Sequence, residues 1–175
     1  MAKSKLLVIS PHPDDEVLGV GGTISKFSKN KGEVYVLTVA AHMPPLYTDK
    51  MHQQTINEAK KAHSFLGVKE SIFLNKPALS LIKEDLSTFH AEVMKVLIDI
   101  EPEIVLIPYY DRHIDHRFIF EACMVIARPV GVGKKIKLLA AYETLSETHW
   151  NAPQIEPNFN PNWSVDITDE IENKL

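Results

Sequence analysis

The sequence has a single cysteine, Cys123, among its 175 residues. That rules out an internal disulfide framework and fits a reducing cytosol. It also lacks any block of basic residues. With 19 Lys and Arg against 23 Asp and Glu, the formal net charge is −4, which gives no footprint for nucleic acid or an anionic membrane. No apolar run approaches the length that spans a bilayer. Lys3 and Lys5 precede only a strand-length apolar segment, so a cleavable signal peptide is not expected. Internal repeats and low-complexity stretches are absent. The remaining composition, 45% hydrophobic and 24% charged, is that of an ordinary globular domain, long enough for one sizeable core and short for two.

Along the chain, strands alternate with helices. Leu6-Leu7-Val8-Ile9 reads as a buried strand, and Val20, Ile24 and Phe27 then recur at helical spacing up to Asn30-Lys31-Gly32. Val34 to Val39 is a second strand. A helix marked by Ile56, Ala59, Ala62 and Leu66 stops at Gly67, and Ser71 to Leu74 is a third strand. Leu86, Phe89, Val93, Val96, Leu97 and Ile100 form an amphipathic helix ended by Pro102, before a fourth strand at Ile104 to Pro108. Another helix runs through Ile126 with Cys123 on its apolar side. Lys137 to Tyr142 is a fifth strand, and Trp163 to Ile167 is expected to be a sixth. The alternation predicts a doubly wound α/β fold with a mainly parallel sheet and helices on both faces.

Two stretches are not explained by packing. His12-Pro13-Asp14-Asp15-Glu16 crowds an imidazole and three consecutive carboxylates where the first strand ends and a helix begins. A helix dipole accounts for acids in a first turn. It does not account for His12-Pro13 or for Gly19, Gly21 and Gly22, which are better read as letting that helix approach the sheet closely. A bound cation would relieve the repulsion. His113-Ile114-Asp115-His116 follows the fourth strand, about a hundred residues later. In a doubly wound sheet the first and fourth strands usually lie side by side, and ligands bind outside their carboxyl ends. Two histidines and a carboxylate make a common ligand set for a catalytic metal with one open position. Adjacent Asp14 and Asp15 would not bind one ion in the same way, so one ligates and the other serves as a base. Of His113 and His116, one ligates and the other stabilises charge or donates a proton, while Asp115 can fix an imidazole tautomer. These residues alone do not choose within each pair. His42 after the second strand, and Tyr142, Glu143 and His149 after the fifth, are candidate crevice residues, the first three as substrate contacts. His52, His63 and His90 are expected to be solvated or packed on helix sides.

Pro11-His-Pro-Asp-Asp-Glu16 and His113-Ile-Asp-His116 resemble the two motifs of the PIG-L/LmbE-like family of zinc-dependent N-acetylglucosaminyl deacetylases. The likeness extends to Leu18-Gly-Val-Gly-Gly-Thr23, to Glu58, Ala62 and Leu66-Gly67-Val68, to Ala141 through Thr148, and to Pro161-Asn162 through Ile167. The resemblance implies a Rossmann-like, LmbE-like fold and zinc-dependent hydrolysis of an acetamido group on an amino sugar, free or in a glycoconjugate. Carried over position by position, it makes His12, Asp15 and His116 the Zn2+ ligands, Asp14 the general base, His113 the oxyanion stabiliser and Asp115 the partner that orients it. The sequence departs from the family in having Thr55 where an arginine is common. It also lacks the Thr-x-Gly turn after the second strand. Family chains usually run several tens of residues further, so residues 1–175 are expected to be one deacetylase domain, either a natural short form or one cut short. A cytoplasmic location follows from the same reading, and homo-oligomerisation is left open. Two other classes compete: a non-haem iron oxygenase, whose facial triad uses the same residue types, and a non-catalytic metal- or sugar-binding module.

Overall fold

A computed structural model describes residues 3–152, 154–156 and 158–175. Five strands form one sheet: β1 (Lys5–Ser10), β2 (Glu33–Ala41), β3 (Glu70–Pro77), β4 (Ile104–Pro108) and β5 (Leu138–Tyr142), in the order β3-β2-β1-β4-β5. Every pairing is parallel. The first and fourth strands are neighbours, with Leu6, Leu7 and Val8 opposite Ile104, Val105 and Leu106. The chain therefore reverses direction across the sheet at β1, and the loops after β1 and β4 open side by side.

The pleat of β1 divides the core. Leu7 and Ile9 face one layer, where helices α3 (Leu86–Ile100) and α4 (Ile114–Ile126) bring Phe89, Val93, Leu97, Ile119 and Cys123. Leu6 and Val8 face the other, where α1 (Asp15–Lys29) brings Val20 and Ile24 and α2 (Asp49–Leu66) brings Leu66. A β-strand sends successive side chains to opposite faces, so a strand covered on both sides is apolar throughout. Local chemistry sets the helix ends. Thr48 and Asp85 cap α2 and α3 by accepting from Met51 and Thr88 N–H, and Gly67 takes the left-handed C-cap of α2 at φ 79°.

Gly19 lets α1 lie against β5. A Cβ there would sit 2.6 Å from the Glu143 carbonyl oxygen and collide with the Tyr142 ring. One expectation needs correction. Trp163 to Ile167 is not a strand; it runs along α1 without strand pairing and ends at a short 3₁₀ turn (Thr168–Glu170) and α5 (Ile171–Lys174). Of the two alternatives for His63, solvated or packed on its helix side, the second holds. The ring is buried between Ser71 Oγ at 2.7 Å and Glu16 Oε1 at 2.9 Å, and Glu16 Oε2 accepts from Ser10 Oγ at 2.6 Å. An ionisable pair survives burial when each member has such partners. This one ties α2 and β3 to the loop that carries His12.

Candidate metal centre

The site sits where β1 gives way to α1 and β4 to α4. Asp14 is the N-cap residue of α1, but its side chain caps nothing; its carbonyl accepts from Val17 and Leu18 N–H instead. The carboxylate is thereby left to line the cavity. Asp15 and Glu16 occupy the first turn, both buried. His113 is the N-cap of α4, and its Nδ1 accepts from the Asp115 amide at 3.2 Å. Asp115 and His116 follow in the first turn and are fully buried.

Asp15 Oδ2 is the centre of the arrangement. It lies 3.0 Å from His12 Nδ1 and 3.2 Å from His116 Nε2. The far nitrogen of each imidazole is held by another buried carboxylate. His12 Nε2 is 3.0 Å from Asp115 Oδ2, and His116 Nδ1 is 2.9 Å from Asp111 Oδ2. Both nitrogen–oxygen separations are close to the ~3.3 Å edge of a tetrahedron with ~2.0–2.1 Å metal bonds. His116 Nε2 is buried without a hydrogen-bond partner. The nitrogens of His12, His113 and His116 also lie within 4.8 Å of one another. The donor set fits a divalent metal, with the carboxylate–histidine pairing that orients ligating imidazoles.

The electrostatics are those of a site short of positive charge. Burial lowers the His12 imidazole, but Asp115 and Asp15 overcome it and raise its pKa to about 10. His116 is lifted to about 9 by Asp111 and Asp15, again against burial. Burial works on Asp15 in the opposite sense, and the two imidazoles still hold it well below the usual carboxylate range. Asp14 moves the other way. Burial first, then the charges of Asp15 and Glu16, push it up to about 6. His113 is pushed down to about 4 by burial and by the neighbouring His12 and His116. It is therefore neutral near pH 7, and with Nδ1 accepting a backbone N–H, its proton sits on Nε2.

The surrounding cavity, about 250 Å³, is lined by His12, Asp14, Asp15, His113 and His116 from these two loops. His42, Tyr47, Ala78, Leu79, Ser146 and Glu147 complete it. His42 is thus at the cavity as expected, with its Nδ1 3.4 Å from Thr55 Oγ1 and its ring 4.4 Å from that of Tyr47. Tyr142 and Glu143 are not. Tyr142 is buried under α1 and donates to the Ile9 carbonyl at 3.0 Å, and Glu143 is paired with His149 at 2.6 Å outside the cavity. The Asp115 side chain faces His12 and the Leu79 amide at 2.8 Å rather than His113. Residues two apart on a helix point in different directions, and His113 is held by the Asp115 backbone instead. The sequence reading also passed over Asp111. Fully buried, it accepts from the His113 backbone N–H at 2.9 Å, from Thr148 Oγ1 at 3.1 Å and from His116 Nδ1, so one carboxylate fixes the His116 ring and the backbone where α4 begins. An acid five positions before a histidine was the available signal.

The PIG-L family, described as GlcNAc-PI de-N-acetylase, matches this chain over residues 7–127. The "Diacetylchitobiose deacetylase" of Thermococcus kodakarensis is 29% identical over 186 aligned residues, covering 98% of this chain and 66% of that protein. The chain thus spans just under two thirds of that relative's length. Among solved structures, an inhibitor complex of N,N'-diacetylchitobiose deacetylase from Pyrococcus horikoshii superposes with a TM-score of 0.71 at 25% identity, covering 98% of this chain and 67% of that one. GalB, a 4-carboxy-2-hydroxymuconate hydratase from Pseudomonas putida, shares the fold at a TM-score of 0.75 and 18% identity, covering 98% and 75%. The family match spans both histidine–aspartate loops and the sheet that brings them together, and the chain belongs to the PIG-L family.

Proposed function

We infer that this protein is a zinc-dependent N-deacetylase that removes the acetyl group from an N-acetylglucosamine-type amino sugar. We place it in the cytosol, which the lone buried thiol of Cys123 fits. One observation carries the reading: Asp15 Oδ2 faces the near nitrogens of His12 and His116, while Asp115 and Asp111 hold the far ones. His12, Asp15 and His116 would hold the metal. When bound, it would supply Lewis-acid polarisation of the amide carbonyl and of the attacking water.

The other steps belong to the chain's own residues. Asp14 takes the proton from the attacking water and passes it to the leaving amine. Burial and the charges of Asp15 and Glu16 raise its pKa, the direction that lets a carboxylate hold a proton for the leaving amine. His113, neutral and carrying its proton on Nε2, donates to the oxygen of the tetrahedral intermediate. Asp111 and Asp115 keep the imidazoles in the tautomers the reaction needs. The cavity has room for about one sugar ring and its acetamido group. The relatives' names supply the substrate class, and the fold alone would not, since GalB shares it.

Acetate release from N-acetylglucosamine and its glycosides, read beside metal content, tests the assignment. Asp15→Asn and His116→Ala should lose metal and activity together. Asp14→Asn should keep its metal while turnover falls ~10²–10⁴-fold. His113→Ala should also keep metal and lose ~10²–10³-fold, mainly in kcat. Should Asp14→Asn shed the metal while Asp15→Asn retains it, the roles are reversed. Stoichiometric iron with oxygen-dependent turnover would replace the hydrolase by an oxygenase.

A further inference from the structure

Leu79 lines the cavity with its backbone at φ 63°, in the left-handed region. A bulky side chain is uncommon there, because its Cβ crowds the following carbonyl, and such outliers persist only where the surroundings fix the backbone. Three successive amides fix this one. Ala78 N–H donates to the Ala41 carbonyl at 3.2 Å, Leu79 N–H to Asp115 Oδ2 at 2.8 Å, and Ser80 N–H to the Pro77 carbonyl at 3.3 Å. Leu81, just beyond, is fully buried. The turn therefore holds the Leu79 backbone two hydrogen bonds from His12, whose Nε2 is 3.0 Å from the same Asp115 oxygen. Yet the Leu79 side chain is half exposed, at 51%, so core burial does not offset the strain. A glycine would make the same amide bond without strain. The leucine side chain has no structural task to explain it.

We propose that Leu79 is a specificity residue, whose side chain meets the alkyl part of the substrate's acyl group and limits its length. This rests on the deacetylase reading of the cavity. Among the described residues that line it, only Ala78 and Leu79 are aliphatic. Tyr47 is the one other largely apolar side chain there, and its ring lies 4.4 Å from that of His42. The remaining lining is acids, imidazoles and a hydroxyl. A sugar carries hydroxyls that such a lining can serve; an alkyl chain does not. Its position is also set by the chemistry. The acyl carbonyl has to reach His12, Asp15 and His116, so the alkyl carbons lie within a few bonds of them whatever sugar is attached. Leu79 is held beside His12 through their shared carboxylate. A fixed aliphatic wall there accepts a methyl group and rejects added methylenes, each worth roughly tenfold or more in a closed apolar contact.

Two measurements test this. In the first, kcat/KM for carboxylate release is compared for N-acetyl- and N-butyrylglucosamine. Leu79→Gly should raise the butyryl value relative to the acetyl value by about tenfold or more. Leu79→Ala, which shortens the side chain but leaves the backbone left-handed, should move the ratio the same way. Glycine alone should also raise the urea midpoint, by roughly 0.2–0.5 M, because it alone relieves the strain. A ratio that stays at the parent's value or falls in the glycine variant overturns the proposal, and equal midpoints for the two variants, showing an unstrained turn, overturn it too. The second measurement does not depend on turnover. Calorimetry on the zinc-loaded protein compares acetohydroxamate with butyrohydroxamate, which offer the same two acyl groups to a metal. The parent should bind the shorter one more tightly, and Leu79→Gly should remove the difference; no preference in the parent overturns the wall. A preference that Leu79→Gly removes, in a protein that releases carboxylate from neither sugar, keeps the wall and removes the deacetylase reading.

Discussion

Asp111 gathers more partners at this site than its place outside the two motifs would suggest. Its two oxygens take the His113 amide, His116 Nδ1 and the Thr148 hydroxyl, and its carbonyl takes Arg117 Nε at 2.5 Å. An amide in its place can present an N–H where His116 needs an acceptor. Asp111→Asn should therefore lower metal affinity 10–100-fold, the usual cost of a lost partner behind a ligating imidazole. Competition with a chelator of known affinity measures it; unchanged affinity would mean that His116 is held by packing alone. Of the residues the sequence put forward, His12, Asp14, Asp15, His113, Asp115 and His116 are gathered within one cavity or directly behind it and His42 lines its wall, whereas Tyr142 and Glu143 lie outside. The first six were legible because acids and imidazoles are costly to crowd without a purpose. Which carboxylate serves which imidazole was not legible. Asp115 reaches a partner 103 residues away, and only the β1–β4 pairing brings His12 there.

Helix α1 shows what an element must do to present such residues. It delivers Asp15 and Glu16 at its N-terminus while lying so close to β5 that Gly19 has no space for a methyl group. The obstructing Tyr142 is buried and bonded to Ile9, so it cannot swing away. Gly21 differs: a Cβ there would meet nothing nearer than 3.5 Å. The two substitutions should have opposite signs. Gly19→Ala should destabilise by about 1–3 kcal/mol through overpacking. Gly21→Ala should stabilise by about 0.5–1 kcal/mol, because alanine loses less backbone entropy in a helix. Urea denaturation of both variants reads the contrast, and a shared sign would show that α1 does not lie against β5 as described. Five strands and the main helices were legible from apolar runs and helical periodicity because each is long and strongly patterned. The Trp163 to Ile167 segment misled for a physical reason. Trp163 and Val165 do alternate into an apolar cavity beside Leu106, and Ile167 packs on Gly22, but no neighbouring strand among the described residues offers a ladder. A period of two records which side is buried, not whether a partner backbone is present.

At the scale of the whole molecule, the site is a junction. His12 and Asp15 come from the end of β1, His116 from the end of β4, and no covalent bond joins these two parts of the sheet at that edge. Asp15, Asp111 and Asp115 gather there, their side chains paired with the imidazoles of His12 and His116. A cation held by His12, Asp15 and His116 would cross-link the two loops and supply the missing charge. Because the ligands come together only in the folded chain, binding adds RT ln(1 + [L]/Kd) to stability, about 4 kcal/mol when the free metal is a thousand times Kd. For a chain of this size that is on the order of 10 °C in melting temperature. Stripping the metal with a chelator should lower the transition by that amount, and restoring zinc should return it. The two aspartates separate this effect from general damage. Asp14→Asn, which leaves the ligands in place, should show the full chelator-dependent shift, whereas Asp15→Asn should melt at nearly the same low temperature with or without chelator. If the parent protein melts identically in both conditions, the carboxylates and imidazoles at this junction balance one another without a metal, and His12, Asp15 and His116 are structural.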